Sequence, residues 1–285
     1  MNSVPLVSIG VPTFNRPKQL HKTIQYLIKQ DYKNIEIIIS DNCSTDISVN
    51  EILEKYKNED NRITYYIQKS NIEIEPNFNF VYHKAKGKYF MWVSDDDEFD
   101  HNYIAECVTF LEQHQEYVLC SGISKYYNQS KFLFEEKTIH LESNIPLFRL
   151  LHYFRKVYKN GIFYGVYRNN LGFQNPIQKH LGGDWNHIAR TALLGKINVL
   201  DTIKVKRSDE GGSSSREKMT TRWKLNQVRK IFFETYVAYQ VVKYLFNEPV
   251  ILKKYPIAIR LPIQLYLFVM LNLKFLIHSI RIRLS

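Results

Sequence analysis

Runs of apolar or small residues, rich in β-branched types, alternate over the first hundred positions with longer segments in which apolar residues recur at helical spacing. "LVSIGV" at 6–11 is such a run and ends at Pro12, the pattern of a strand buried on both faces. Leu20, Ile24, Leu27 and Ile28 then follow the period of a helix. "IEIII" at 35–39, "RITYYIQ" at 62–68 and "YFMWV" at 89–93 read as three further strands, and helical spacers, including "NFNFVYHKAKG", lie between them. Strands that alternate with helices are joined by crossovers, so the pattern predicts an α/β fold built on a mostly parallel sheet.

Ligands of such sheets bind beyond the carboxyl ends of the strands. Polar clusters fall there: "PTFNR" after the first strand, "SDNCSTD" after the second and "SDDD" after the fourth. Neither G-x-G-x-x-G nor G-x-x-x-x-G-K-[ST] is present, so a glycine cradle for phosphate is excluded. Asp95, Asp96 and Asp97 repel one another unless a metal cation, basic groups or solvent offsets them. Asp95 and Asp97, separated by one residue on what reads as an exposed rim, can place hard oxygen ligands on Mg²⁺ or Mn²⁺ bridging a diphosphate. The plainer reading of the same residues is a solvated acidic turn that caps the next helix.

Composition places the chain among globular proteins: 285 residues, 45% hydrophobic, are enough for a sizeable core. The net charge of +11 is not spread evenly. Arg216–Ser285 holds 13 Lys/Arg and 3 Asp/Glu, which leaves 26 basic and 25 acidic residues upstream. A neutral body with a basic, apolar tail points to an anionic membrane surface, not to nucleic acid. Cys43, Cys107 and Cys120 have no metal-ligand spacing, and the first residues lack the pattern of a signal peptide, so a cytoplasmic protein with reduced thiols is expected. The sequons at Asn42 and Asn128 are then chance matches.

"VSIGVPTFNRPKQLHKTIQYLIKQDYKNIEIIISDNCSTD" and "AKGKYFMWVSDDDEFD" together resemble the opening and the D-x-D segment of the family 2 inverting glycosyltransferases with the GT-A fold. The similarity covers roughly residues 6 to 125, and more loosely extends to about 210. It implies a donor site in which Pro12, Thr13, Asn15, Arg16 and Asp41 hold the nucleotide. Asp41 would accept from a uracil imide N–H, which suits an acceptor-only carboxylate, although turn initiation with Asn42 explains Asp41 as well. By the same resemblance Asp95 contacts ribose or metal, Asp97 is the direct metal ligand, and Asp96 serves in either place. Transfer with inversion also needs a general base, and "HLGGDWNHIARTALLG" offers Asp184 at a helix start. Its two preceding glycines would let the backbone approach a ligand. An N-cap is the alternative role for this aspartate.

One departure concerns the segment "KRSDEGGSSSRE", where the family often carries a His or Arg on the diphosphate or metal: Arg207 and Asp209 are present, a histidine is not. His187, one turn beyond Asp184, is left out of the catalytic set.

The tail completes the reading. Leu261–Leu273 is an apolar stretch of 13 residues interrupted by Pro262, Gln264 and Asn272, short of the roughly 20 a spanning helix needs. Two arrangements are open: basic, aromatic helices lying in the cytoplasmic interface, with Arg260, Lys274, Arg281 and Arg283 at anionic headgroups, or a helical hairpin packed on the domain or a partner. The expectation is a GT-A-like domain over 1–215 and a helical, membrane-associating tail over 216–285. The function implied is inverting transfer of a sugar, assisted by Mn²⁺ or Mg²⁺, from a uridine-linked nucleotide-sugar donor to a saccharide or lipid-linked saccharide acceptor of a bacterial-type surface glycan, peripheral on the inner face of the plasma membrane. The alternatives are a nucleotidyltransferase, which would carry a glycine-rich loop where "PTFNRPK" stands, and a non-catalytic donor-binding subunit.

Overall fold

The computed structural model describes residues 4–128, 131–209 and 216–284, the last seven of these and residue 250 by backbone alone. Its centre is a nine-stranded sheet. Four parallel strands form one half: β1 (Val7–Thr13), β2 (Ile35–Asp41), β3 (Ile63–Ile67) and β4 (Tyr89–Trp92), in the order β3-β2-β1-β4. Helices α1 (Pro17–Ile28), α2 (Ile47–Glu59) and α3 (Ile74–Lys84) make the crossovers. Every residue of β1 and β4 is buried, which explains why these strands read as unbroken apolar runs.

β1 does not stop at Pro12 as its sequence implies but continues to Thr13, with Pro12 opposite Ser40. A residue's N–H and C=O point to the same side of a strand, and the carbonyl of Gly10 faces β4, where it accepts from Val93. Pro12, two residues on, faces the same side, past the last β1–β4 pair at Gly10 and Trp92. Its missing N–H therefore costs the ladder nothing.

The other half is mixed. β5 (Glu98–Phe99) and α4 (Tyr103–Gln113) lead to the long β6 (Tyr117–Asn128) and its hairpin partner β7 (Lys131–Glu135). Next come α5 (Pro146–Lys156), a single 3₁₀ turn at Gly161–Tyr164, β8 (Val166–Arg168), α6 (Gly183–Leu194) and β9 (Lys196–Ser208). β8 runs antiparallel between β4 and β6, and β9 lies parallel to β6 and antiparallel to β5.

The tail is helical: α7 (Arg216–Arg222), α8 (Gln227–Ile231), α9 (Phe233–Phe246), α10 (Pro249–Lys254) and α11 (Ile257–Leu284). Its core residues are continuous with those of the sheet. Ala238, Val241 and Leu245 of α9 and Leu267 and Leu271 of α11, all fully buried, pack in the same cluster as Trp92, Phe163 and Ile188. α11 also runs unbroken through Pro262, and its segment Ile257–Ile277 is, by length and composition, long and apolar enough to cross a membrane. The interruptions read from sequence have local solutions: Asn272 accepts from Thr235 Oγ1 at 2.7 Å and donates to the carbonyl of Phe268. Lys274, expected at headgroups, instead donates to the carbonyls of Phe154 and Val157 at the end of α5. The side chains of Arg281 and Arg283 lie outside the described residues.

Candidate active site

The loops after β1, β2 and β4 meet on one rim. Thr13 donates to Asp95 Oδ2 at 2.8 Å. Arg16 reaches across from the start of α1, with one nitrogen 2.6 Å from Asp95 and the other 2.7 Å from Asp96. Asn15, in the left-handed region at φ 52°, accepts from the amides of Thr45 and Asp46 through its Oδ1 and so ties the first loop to the second. Asp41 accepts from the amide and hydroxyl of Ser44, which is the turn-forming role considered from sequence. Asn42 fixes the next loop by accepting from Ile72 and donating to the carbonyl of Glu73.

The three aspartates are offset by two guanidinium groups. Arg207 Nη1 lies 3.2 Å from Asp97 Oδ2. Strand register places this pair: Glu98 is opposite Lys206 in the antiparallel β5–β9 ladder, so the residue before one faces the residue after the other. Asp97 is not on an exposed rim but 1% exposed, because β5 pulls the chain into the sheet immediately after it. Burial raises its carboxyl to about 7 against the pull of Arg207. Burial likewise lifts Asp95 to about 6, opposed by Arg16 and reinforced by Asp96. Arg207 shows the opposite balance, since burial works against its charge but Asp97, Tyr126 and Tyr164 hold it on. For Asp97 burial prevails, as neither of its oxygens accepts a hydrogen bond.

Oxygens that accept no hydrogen bond, although one of them faces Arg207, are what a divalent cation would need. Among the described residues no three His, Cys, Asp or Glu side chains converge on one point. One or two carboxylates nonetheless suffice for a Mg²⁺ or Mn²⁺ ion that takes its other ligands from water and substrate phosphates. Asp97 fits that description best; Asp95 already accepts from Thr13 and Arg16 and has only its remaining lone pairs to offer.

Asp184 stands in the first turn of α6. The N-cap is Gly182, at φ 84°, and Asp184 lies two residues on, where the amides of the first turn reach its carboxylate. Packing leaves no room for a side chain at either glycine: a Cβ at Gly182 would lie 2.5 Å from Val241 and one at Gly183 would lie 2.2 Å from the carbonyl of Gln178. Asn160 donates to Asp184 Oδ2 at 2.9 Å and is itself held by the Tyr153 hydroxyl at 2.7 Å. Burial raises the Asp184 carboxyl above its ordinary value, opposed by the Asn160 hydrogen bond and the first-turn amides. No cation pairs with it among the described residues.

Tyr164, which the sequence did not single out, sits between the two acidic centres. Its ring lies 3.7 Å under the Arg207 guanidinium carbon, and its hydroxyl is raised by burial and by Asp97, Asp96 and Asp184, with Arg207 opposing. Asn160 was missed as well, although the Asn160–Gly161 pair is a turn signal. Of the residues left aside, His187 is packed against Trp92 and Phe163 and held neutral by burial, and Asp209 is paired with Lys159 at 2.7 Å.

The glycosyl transferase family 2 model matches residues 8–179, more than half of the chain. The chain belongs to glycosyl transferase family 2. It is 31% identical over 172 residues to the putative colanic acid biosynthesis glycosyl transferase WcaA of Escherichia coli K12, covering 59% of this chain and 60% of that protein. It is 36% identical over 97 residues to the GalNAc(5)-diNAcBac-PP-undecaprenol β-1,3-glucosyltransferase of Campylobacter jejuni, covering 33% of this chain and 31% of that one. The chain thus spans between about a third and three fifths of these relatives. In fold it is similar to S. aureus TarS 1–349, at TM-score 0.59 and 19% identity over 93% of this chain and 80% of that one. It is equally similar to the Pyrobaculum calidifontis mannosyltransferase PcManGT, solved with GDP-Man and Mn²⁺, at TM-score 0.59 and 12% identity over 95% of this chain and 74% of that one. The sheet flanked by helices is therefore the GT-A arrangement expected from sequence, with a mixed second half.

Proposed function

We propose that this family 2 member is an inverting, metal-dependent enzyme that moves a sugar from a uridine-linked nucleotide-diphosphate donor to a hydroxyl of a saccharide or lipid-linked saccharide in the synthesis of a bacterial-type surface glycan. It works at the cytoplasmic face of the plasma membrane. The observation that carries the reading is Asp184, a carboxylate without a cation partner among the described residues, fixed by Asn160 and raised by burial, across Tyr164 from the aspartates of the donor rim. The names of the E. coli and C. jejuni relatives support a surface or carrier-linked glycan as product. A TarS structure solved with UDP-GlcNAc supports a uridine donor.

In this reading Pro12, Thr13, Asn15 and Arg16 line the nucleotide pocket with Asp41, whose carboxylate accepts from the base. Asp95 and Asp96 face the ribose. A divalent cation held by Asp97, with Asp95, would neutralise the departing diphosphate. Asp184 takes the proton of the acceptor hydroxyl as its oxygen bonds to the anomeric carbon on the face opposite the nucleotide. The bond from that carbon to the diphosphate oxygen breaks, and its electron pair leaves with the diphosphate. A raised pKa makes Asp184 a stronger base, provided it is ionised at working pH.

A panel of nucleotide sugars, with and without Mn²⁺, tests the donor assignment by thermal shift. A UDP-sugar at 100 times its Kd should stabilise the protein by about 2.7 kcal/mol, and only when the cation is present. Stabilisation that survives EDTA would remove the metal from the proposal, and no stabilisation by any nucleotide sugar would remove the donor.

A further inference from the structure

Beside Asp184 the surface opens into an apolar groove of about 560 Å³ between the end of α5, the start of α6 and the outer face of α11. Trp185, the residue after Asp184, forms one wall; Val157, Met270 and Leu273 are among the others. The volume is that of a site for a small organic ligand. Among the described residues no acidic side chain lines it, whereas Arg155 and Lys274 do. Lys274 is tied to the carbonyls at the end of α5 and lies over the Trp185 ring at 5.8 Å, leaving Arg155 as the cation able to meet an anion at the mouth. The groove continues onto exposed apolar residues of α11, with Leu265 at 66% and Val269 at 46% exposure.

We infer that this groove seats the isoprenoid chain of a lipid-phosphate-linked acceptor. The inference rests on the glycosyltransferase reading above and deepens it. Three features select this occupant. The groove is apolar along its length yet cationic at its rim, matching a hydrocarbon that ends in phosphate. Its wall includes Trp185, the neighbour of Asp184 in the chain, so a lipid held there lies beside the segment that carries the base. It also opens along an apolar helix face, from which a chain longer than the groove can pass into a bilayer. Free saccharide has no use for such a surface.

Binding of farnesyl phosphate to the full chain tests the seat, compared among the wild type and two variants at exposed positions, Val269→Trp, which fills the groove, and Leu273→Glu, which sets a carboxylate in it. UDP binding is measured in parallel. Saturable farnesyl phosphate binding that weakens at least about 10-fold in both variants, with UDP binding unchanged, is the expected result. Equal binding by wild type and variants overturns the proposal. Binding to phosphatidylglycerol vesicles through this face without saturable farnesyl phosphate binding overturns it in favour of a bulk membrane contact. A wild-type dimer that Val269→Trp dissociates overturns it in favour of a second copy. Farnesyl phosphate binding without UDP binding would keep the seat and contradict the donor chemistry.

Discussion

Replacing Asp97 by Asn should shift the stability of the ligand-free protein in the variant's favour as pH rises. Burial moves this carboxyl from 3.8 to about 7. Between those values the unfolded chain has released the proton while the folded chain retains it, so the native state loses stability as pH rises towards 7. A shift of roughly 3 units at 1.36 kcal/mol each corresponds to about 4 kcal/mol, accumulated between about pH 4 and pH 7. His180, lowered to about 4 by burial, and His187, lowered further, act in the opposite sense over the same range. Both are common to the two proteins and cancel in the difference. At low pH the wild-type side chain is neutral like Asn, and Arg207 is unpaired in either protein. The variant should therefore gain about 4 kcal/mol over the wild type from pH 4 to pH 8, on the order of 8 °C in Tm at roughly 2 °C per kcal/mol. Thermal unfolding of both proteins in EDTA across this range measures it. A difference that stays constant would show that Arg207 keeps Asp97 ionised throughout. A wild type that gains on the variant at high pH would show that the ion pair outweighs burial, and either result refutes the reasoning. Mn²⁺ with UDP should then stabilise the wild type and leave the variant unmoved.

Arg207→Gln leaves the Asp97 carboxylate buried without its cation, and its stability in EDTA at pH 8, read by denaturant unfolding, should fall by about 3–5 kcal/mol. Leu271→Ala should cost about 2–5 kcal/mol, since this α11 side chain is fully buried in the main core; a loss below 1 kcal/mol would mean that α11 is only loosely applied to the domain. Gly182→Ala combines a left-handed backbone with a Cβ 2.5 Å from Val241, so its melting temperature should drop by the equivalent of at least about 1–2 kcal/mol.

The parallel half of the sheet was legible because strands buried on both faces write themselves as continuous apolar runs, and the rim clusters follow where each run ends. β6 was missed because its twelve residues, "YVLCSGISKYYN", mix apolar and polar positions as the strand passes from the core to the rim. The pairing of Asp97 with Arg207 could not be read at all. It depends on the register of β5, two residues long, against a strand far along the chain, with Glu98 opposite Lys206. Asp184 was found by its place at a helix start, but its support by Asn160 arises from a 3₁₀ turn on another segment. The tail was legible in composition only. Its basic charge and apolar stretch are plain in sequence, yet the inward turn of Lys274 depends on the carbonyls left open at the end of α5.

The central claim is that Asp184 is the base of a sugar transfer, and one substitution tests it most directly. Asp184→Asn keeps the size of the side chain and, through its amide oxygen, the hydrogen bond from Asn160, but cannot take up a proton. With a UDP-sugar and an acceptor at saturation, the variant should bind donor within a few-fold of the wild type and lose at least about 10²-fold in transfer rate. Near-wild-type transfer by the folded variant would contradict the account.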